Sequence, residues 1–130
     1  MDANLRDRVQ ERLEAEPTLV AAWIFGSVAR GEDGPRSDLD VAVFVDSPDR
    51  PRTLADLPLD LEADLAELAG REAQVVVVDW APSDLVHRVL RDGVLLLDRD
   101  PGARVRFEVA SRNRYFDMLP IWRTYRQVAS

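Results

Sequence analysis

Asp38 and Asp40 stand two residues apart at the head of an apolar run, Leu39-Val41-Ala42-Val43-Phe44-Val45. Such a run reads as a buried strand, and residues two apart on a strand share a face. Two anionic side chains on one face repel each other, and a divalent cation held between them offsets that repulsion. Upstream, with ten residues separating Ser27 from Asp38, Gly26 and Ser27 close another apolar run with a small, flexible turn that carries a hydroxyl. A Gly-Ser turn beside a hard-metal site suits a metal-bound phosphate. The alternative for the two carboxylates is solvated charge at a strand end.

The elements that would position these residues follow from periodicity. Leu5, Val9 and Leu13 predict a helix over residues 4–16, stopped by Pro17. Residues 19–25 are apolar on both faces and predict a central strand. The Gly-, Pro- and charge-rich residues 26–37 form a loop, and a second strand covers 39–45. Residues 46–53 are loop. A helix is expected over 58–69 with Gly70 as its stop, then a strand over the four valines 75–78. Pro82 opens a helix that Gly93 ends, and 94–97 is a short fourth strand. Asp100 and Pro101 start a last helix, which should run to about Leu119 and break or kink at Pro120. The fold class expected is α/β or α+β: one domain over 1–130, with a small mixed sheet of about four strands flanked by helices.

Composition removes several function classes. There is no cysteine, so no disulfide, thiolate metal site or cysteine nucleophile. With a single histidine, a multi-histidine metal centre within one chain is excluded. Lysine is absent, which excludes a P-loop. The net charge of −7 argues against direct nucleic-acid binding and allows a metal-bridged nucleotide or a basic protein partner. No stretch approaches the length of a membrane span, and the charged N-terminus lacks a signal-peptide core, so a cytoplasmic location is expected. His87 reads as a partly exposed helix residue. A triad of Ser27, His87 and an aspartate has no nucleophile-elbow sequence behind it. Trp23 and Trp80 read as core aromatics, while Trp122 and Tyr125 either pack on the body or anchor a partner.

The Gly26-Ser27 pair, ten residues, then Asp38-Leu39-Asp40 resembles the signature of the polymerase-beta-like nucleotidyltransferase superfamily. Ala29-Arg30-Gly31-Glu32 and Ser37-Asp38-Leu39-Asp40 are more specifically similar to the minimal nucleotidyltransferase (MNT) family. So are Gly93-Val94-Leu95-Leu96-Leu97, Asp98-Arg99-Asp100-Pro101 and the stretch from Arg114 to Pro120. The resemblance implies a polymerase-beta-like nucleotidyltransferase fold and a magnesium-dependent adenylyltransferase with ATP as substrate. Asp38 and Asp40 would be its catalytic metal ligands, and Gly26 and Ser27 would hold the triphosphate. Arg30 would add a contact to the triphosphate, or instead pair at the surface with Glu32 or Asp33. Ser37 would bond the backbone of its own loop.

The resemblance breaks at the third carboxylate. The family pattern of Gly, Arg, any residue, Val and Asp before a short strand matches Gly70-Arg71-Glu72-Ala73-Gln74. Gln74 then stands where an aspartate is expected, and the second ion of the two-ion site is weakened. Glu72, with matching parity, and Asp79, through a shifted register or bulge, are the other candidates for that ligand. The expected function is the antitoxin of a HEPN/MNT toxin–antitoxin pair, transferring AMP from ATP to a tyrosine of the HEPN-domain toxin. An acidic surface would suit a basic toxin. The alternative is a catalytically impaired, nucleotide-binding antitoxin that acts by contact. Transfer to a small molecule such as an aminoglycoside ranks behind both, because no second domain is visible.

Overall fold

A computed structural model describes residues 2–32, 34, 37–47 and 56–129. Helix α1 (Ala3–Glu14) is started by Asp2, whose carboxylate accepts hydrogen bonds from the Asn4 and Leu5 amides at 2.7 and 3.3 Å. Its apolar stripe buries Val9 and Leu13. Beyond its end, the Arg99 guanidinium donates to the carbonyls of Glu16 and Leu19 at 2.7 and 2.9 Å, and also to that of Glu14. The Glu14 carbonyl left over at the helix end is thereby satisfied, and the end of α1 is tied to the residue that follows β4.

Four strands follow: β1 (Ala21–Phe25), β2 (Leu39–Phe44), β3 (Ala73–Val77) and β4 (Val94–Asp98). Their order across the sheet is β3-β2-β1-β4. β1 runs antiparallel to β2 and β4, while β2 and β3 are parallel. Parallel neighbours need a crossover, and it contains α3 (Leu57–Ala69), whose chain turns at Gly70 with φ +66°. Among the described residues the other α-helices are the single turn α2 (Gly26–Ala29), α4 (Ser83–Asp92) and α5 (Pro101–Ala129). Among the described residues no helix is long and apolar enough to cross a membrane.

Strand parity divides the core in two. Ile24, Leu39, Val41, Val43, Val75 and Val77 face α1 and α3, meeting Val9, Leu13, Leu61 and Leu65. Trp23, Ala42 and Phe44 face the other way, against Val86 and Val89 of α4 and Ala103 of α5. Phe44 also stacks on Phe107, ring centroids 4.6 Å apart. Trp23 is a core aromatic as its sequence setting predicts; Trp80 is half-buried and packs on the first layer.

The structure departs from the sequence-based expectation at three places. Residues 26–29 form a helical turn rather than loop. β3 starts at Ala73 and ends at Val77, and Val78–Trp80 forms a 3-10 turn. α5 is not broken at Pro120 and continues to Ala129. The bond a proline forfeits there is the one to the Phe116 carbonyl; that residue is exposed, so water can satisfy it. The predicted 46–53 loop lies outside the described residues from 48 onward, as does Asp33, one of the two partners weighed for Arg30.

Candidate active site

β1 delivers the chain to the site. Phe25 is extended, and Gly26 then takes φ +76°, a left-handed conformation that turns the strand directly into α2. Val28, almost fully buried, pins this turn to the core, and the Glu32 amide donates to the Ser27 carbonyl at 2.9 Å. Phe25 pairs with Asp40 across the β1–β2 ladder, so the turn emerges beside the Asp40 side chain. A Cβ on Gly26 would lie 2.3 Å from Asp40 Oδ2 and 3.2 Å from its Cγ. The carboxylate is packed against the bare glycine backbone, and no side chain fits between them. Gly26→Ala should therefore lower stability by about 1–3 kcal/mol through the positive φ alone. The displaced carboxylate should weaken nucleotide binding as well. Thermal unfolding and ATP titration read the two effects, and an unchanged melting temperature would contradict the packing described.

Leu39, fully buried between the two aspartates, faces the α1/α3 core, so Asp40 faces the opposite layer. Asp38 lies one residue before β2 and shares that parity. Burial raises the Asp40 pKa above 3.8; the charge of Asp38 raises it further, and Arg30 opposes both. The bare pair is electrostatically costly, as its spacing predicts. Arg30 takes the surface option left open by the sequence: its Nε lies 3.0 Å from Glu32 Oε2, and both side chains are exposed. Ser37 bonds its own loop, its Oγ accepting from the Gly34 amide at 3.0 Å.

In the parallel β2–β3 ladder Asp40 is paired with Gln74. Both side chains therefore leave the same face at adjacent positions, and Gln74 is exposed. Asp79 sits at the other end of β3, within the 3-10 turn. Its carboxylate accepts from the Val45 and Asp46 amides at 3.0 and 2.8 Å, closing the end of β2. Burial raises its pKa, while these backbone bonds oppose the rise. Asp79 is thus a strand-end clamp, and neither a shifted register nor a bulge brings it to Asp40. The Glu72 carbonyl accepts from the Leu39 amide at 2.8 Å, which puts Glu72 level with Asp38. Its carboxylate does not complete a cluster: among the described residues no three His, Cys, Asp or Glu side chains converge on a common point.

His87 takes no part. Its ring lies on Tyr115 at 3.7 Å with planes 1° apart, and among the described residues no hydrogen bond links it to Ser27 or an aspartate. Asp92, which the sequence does not single out, ends α4 close enough to the α2 turn to feel the charge of Arg30. Its pKa is lowered first by hydrogen bonds from Arg91 and then, more weakly, by neighbouring charges including Arg30. Only the tertiary fold brings it there, so no local signal marks it.

A mixed four-stranded sheet with a glycine turn packed on a strand-head carboxylate defines an α/β domain of the nucleotidyltransferase class. The family described as polymerase beta, nucleotidyltransferase, matches residues 7–102, and the chain belongs to that family. A structure described as a minimal nucleotidyltransferase is similar at 31% identity and a TM-score of 0.56, covering 72% of this chain and 95% of that one. A toxin–antitoxin structure with AMP-PNP matches at 20% identity and a TM-score of 0.77 over 100% of both chains. A third match is a tri-AMPylated Shewanella oneidensis HEPN toxin in complex with its MNT antitoxin. It has 18% identity and a TM-score of 0.71, covering 96% of this chain and 99% of that one. No curated protein sequence matches the chain.

Proposed function

We propose that the chain is a nucleotidyltransferase antitoxin that binds ATP and transfers AMP to a tyrosine of a HEPN-domain toxin, acting as one minimal domain. The observation that carries this is the contact of Asp40 with Gly26, which joins the two halves of the motif in space. Support comes from the family membership and from structures of the same fold described as toxin–antitoxin complexes, one with AMP-PNP and one with an AMPylated HEPN toxin. A cytoplasmic site of action goes with this function.

The donor set fits a divalent cation. Asp38 and Asp40 offer only oxygen, and Asp40 carries the electrostatic cost that a cation would relieve. When bound there, magnesium supplies charge neutralisation for the triphosphate. Gly26 offers a backbone N–H, and Ser27 an N–H and a hydroxyl, to the phosphate oxygens. Arg30 can add a charge-assisted contact once it leaves Glu32. In the transfer, the tyrosine oxygen bonds to the α-phosphorus as the bond from that phosphorus to pyrophosphate breaks. The phenol proton leaves to water.

Gln74 favours a second version of this function. An amide beside Asp40 adds no charge, so the cation that would activate the tyrosine oxygen is held weakly. The protein then binds nucleotide better than it transfers it, and contact carries much of the neutralisation. Incubation with α-labelled ATP, magnesium and the HEPN toxin separates the versions. Label on a toxin tyrosine supports transfer. Inhibition of the toxin's ribonuclease without label supports contact. The absence of both label and inhibition would overturn the antitoxin function.

A further inference from the structure

Helix α5 is held to the body along only part of its length. Ala103 is buried, Phe107 stacks on Phe44, and Tyr115 stacks on His87 of α4. α4 begins at Ser83, and its Asp84 lines a groove with Tyr115, Leu119, Trp122, Tyr125 and Arg126 of α5. α5 continues along this groove to its end at Ala129. Ile121 lies 18 residues past Ala103, and Tyr125 lies 18 past Phe107, about five helical turns in each case. Both therefore continue the helical phase of Ala103 and Phe107, which pack on the sheet. Ile121 is 58% exposed and Tyr125 74%. With Pro120 and Thr124 they line a shallow apolar depression.

The charge of this segment is opposite to that of the chain. Residues 112–126 hold four arginines and one aspartate, a net charge of +3 in a chain whose total is −7. Among the described residues Arg112 and Arg123 form no ion pair. Exposed tyrosine and isoleucine flanked by arginine is the composition of a protein-binding hot spot. A second copy docking by two-fold symmetry would set +3 against +3, which costs energy. Nucleic acid would meet the arginines but leave the Ile121 and Pro120 surface uncovered.

We propose that the exposed apolar face near the C-terminal end of α5 is the docking segment for the partner protein. Ile121 and Tyr125 enter an apolar pocket of the partner, and Arg123 and its neighbours meet carboxylates at the rim of that pocket. This rests on the antitoxin function proposed above, and it names the surface that the toxin must carry: apolar and ringed by acid, although the rest of this chain would prefer a basic partner.

The test uses the full chain and the purified HEPN toxin. Binding is measured for wild type, Ile121→Asp, Tyr125→Ala, Tyr125→Phe and Arg123→Glu, with ATP affinity, helicity and sedimentation followed in parallel. Ile121→Asp and Tyr125→Ala should each weaken toxin binding about thirtyfold or more with ATP affinity unchanged. Tyr125→Phe should stay within about threefold of wild type, and Arg123→Glu should slow association and reduce its salt dependence. If Ile121→Asp loses helicity, Tyr125→Ala and Arg123→Glu decide. Toxin affinity unchanged in these two variants overturns the docking segment and leaves the antitoxin function standing. A wild type that binds no HEPN toxin overturns both. A wild-type dimer dissolved by Tyr125→Ala makes a second copy the occupant and overturns the proposal.

Discussion

Asp38→Ala combined with Asp40→Ala should abolish magnesium-dependent ATP binding and leave the fold intact. Both side chains lie on the layer opposite Leu39, outside the α1/α3 core. Their removal deletes no apolar contact of that core. It deletes the two charges that a cation would bridge, and transfer to the toxin should fall by at least about a thousandfold, roughly 4 kcal/mol. Titration calorimetry with magnesium alone and with magnesium plus ATP gives a readout independent of turnover, and equal heats from wild type and variant would refute the site.

The stability change carries its own signature. The Asp40 pKa is raised in the folded state above its ordinary value of 3.8, because burial and Asp38 disfavour the charged form. The folded protein thus holds this proton more tightly than the unfolded chain does. Stability from this group is fully present below pH 3.8 and is lost as pH rises through the folded-state pKa. Asp40→Asn should then melt at or above the wild-type temperature at pH 7, and the difference should shrink toward pH 3. A variant that loses ligand binding while gaining neutral-pH stability is the behaviour of a functional carboxylate, and a structural carboxylate behaves in the opposite way. Added magnesium should narrow the gap by stabilising wild type alone.

Much of this site is legible in the sequence because the governing spacings are local. The parity that puts Asp38 and Asp40 on one face needs only a strand at 39–44, and the apolar run there is unambiguous. The α2 turn is not legible: four residues are too short for helical periodicity to register, and Gly26 and Gly31 read as loop. Pro120 misleads for a different reason. The rule that proline ends a helix weighs a lost hydrogen bond, and on an exposed helix water replaces that bond. The placement of β4 beside β1, and of Asp92 beside the α2 turn, are tertiary facts with no local signal. Asp79 shows how geometry decides between candidates that sequence leaves open. Its carboxylate is engaged by two backbone amides, so it belongs to the end of β2.

Gln74→Asp should raise AMP transfer to the toxin. Position 74 is the neighbour of Asp40 in the parallel ladder, so an aspartate there adds a third carboxylate on the same face without moving the backbone. Gln74 is exposed, and the exchange disturbs no core contact. The added anion should tighten magnesium binding and raise AMP transfer about a hundredfold, equivalent to roughly 3 kcal/mol of transition-state stabilisation. In the absence of magnesium the same substitution should lower the melting temperature, because a third carboxylate joins two that already repel each other. Magnesium should reverse that loss. Asp79→Asn is the matched control. It weakens two backbone hydrogen bonds at the end of β2, so it should cost stability while leaving transfer per folded molecule unchanged. Rates of label transfer to the HEPN toxin and melting curves with and without magnesium, taken on wild type and both variants, test the assignment. A fully active wild type indifferent to Gln74→Asp would show that the family's third carboxylate is dispensable here. An active wild type silenced by Asp79→Asn with its fold intact would move the ligand to Asp79, against the geometry of the β2 terminus.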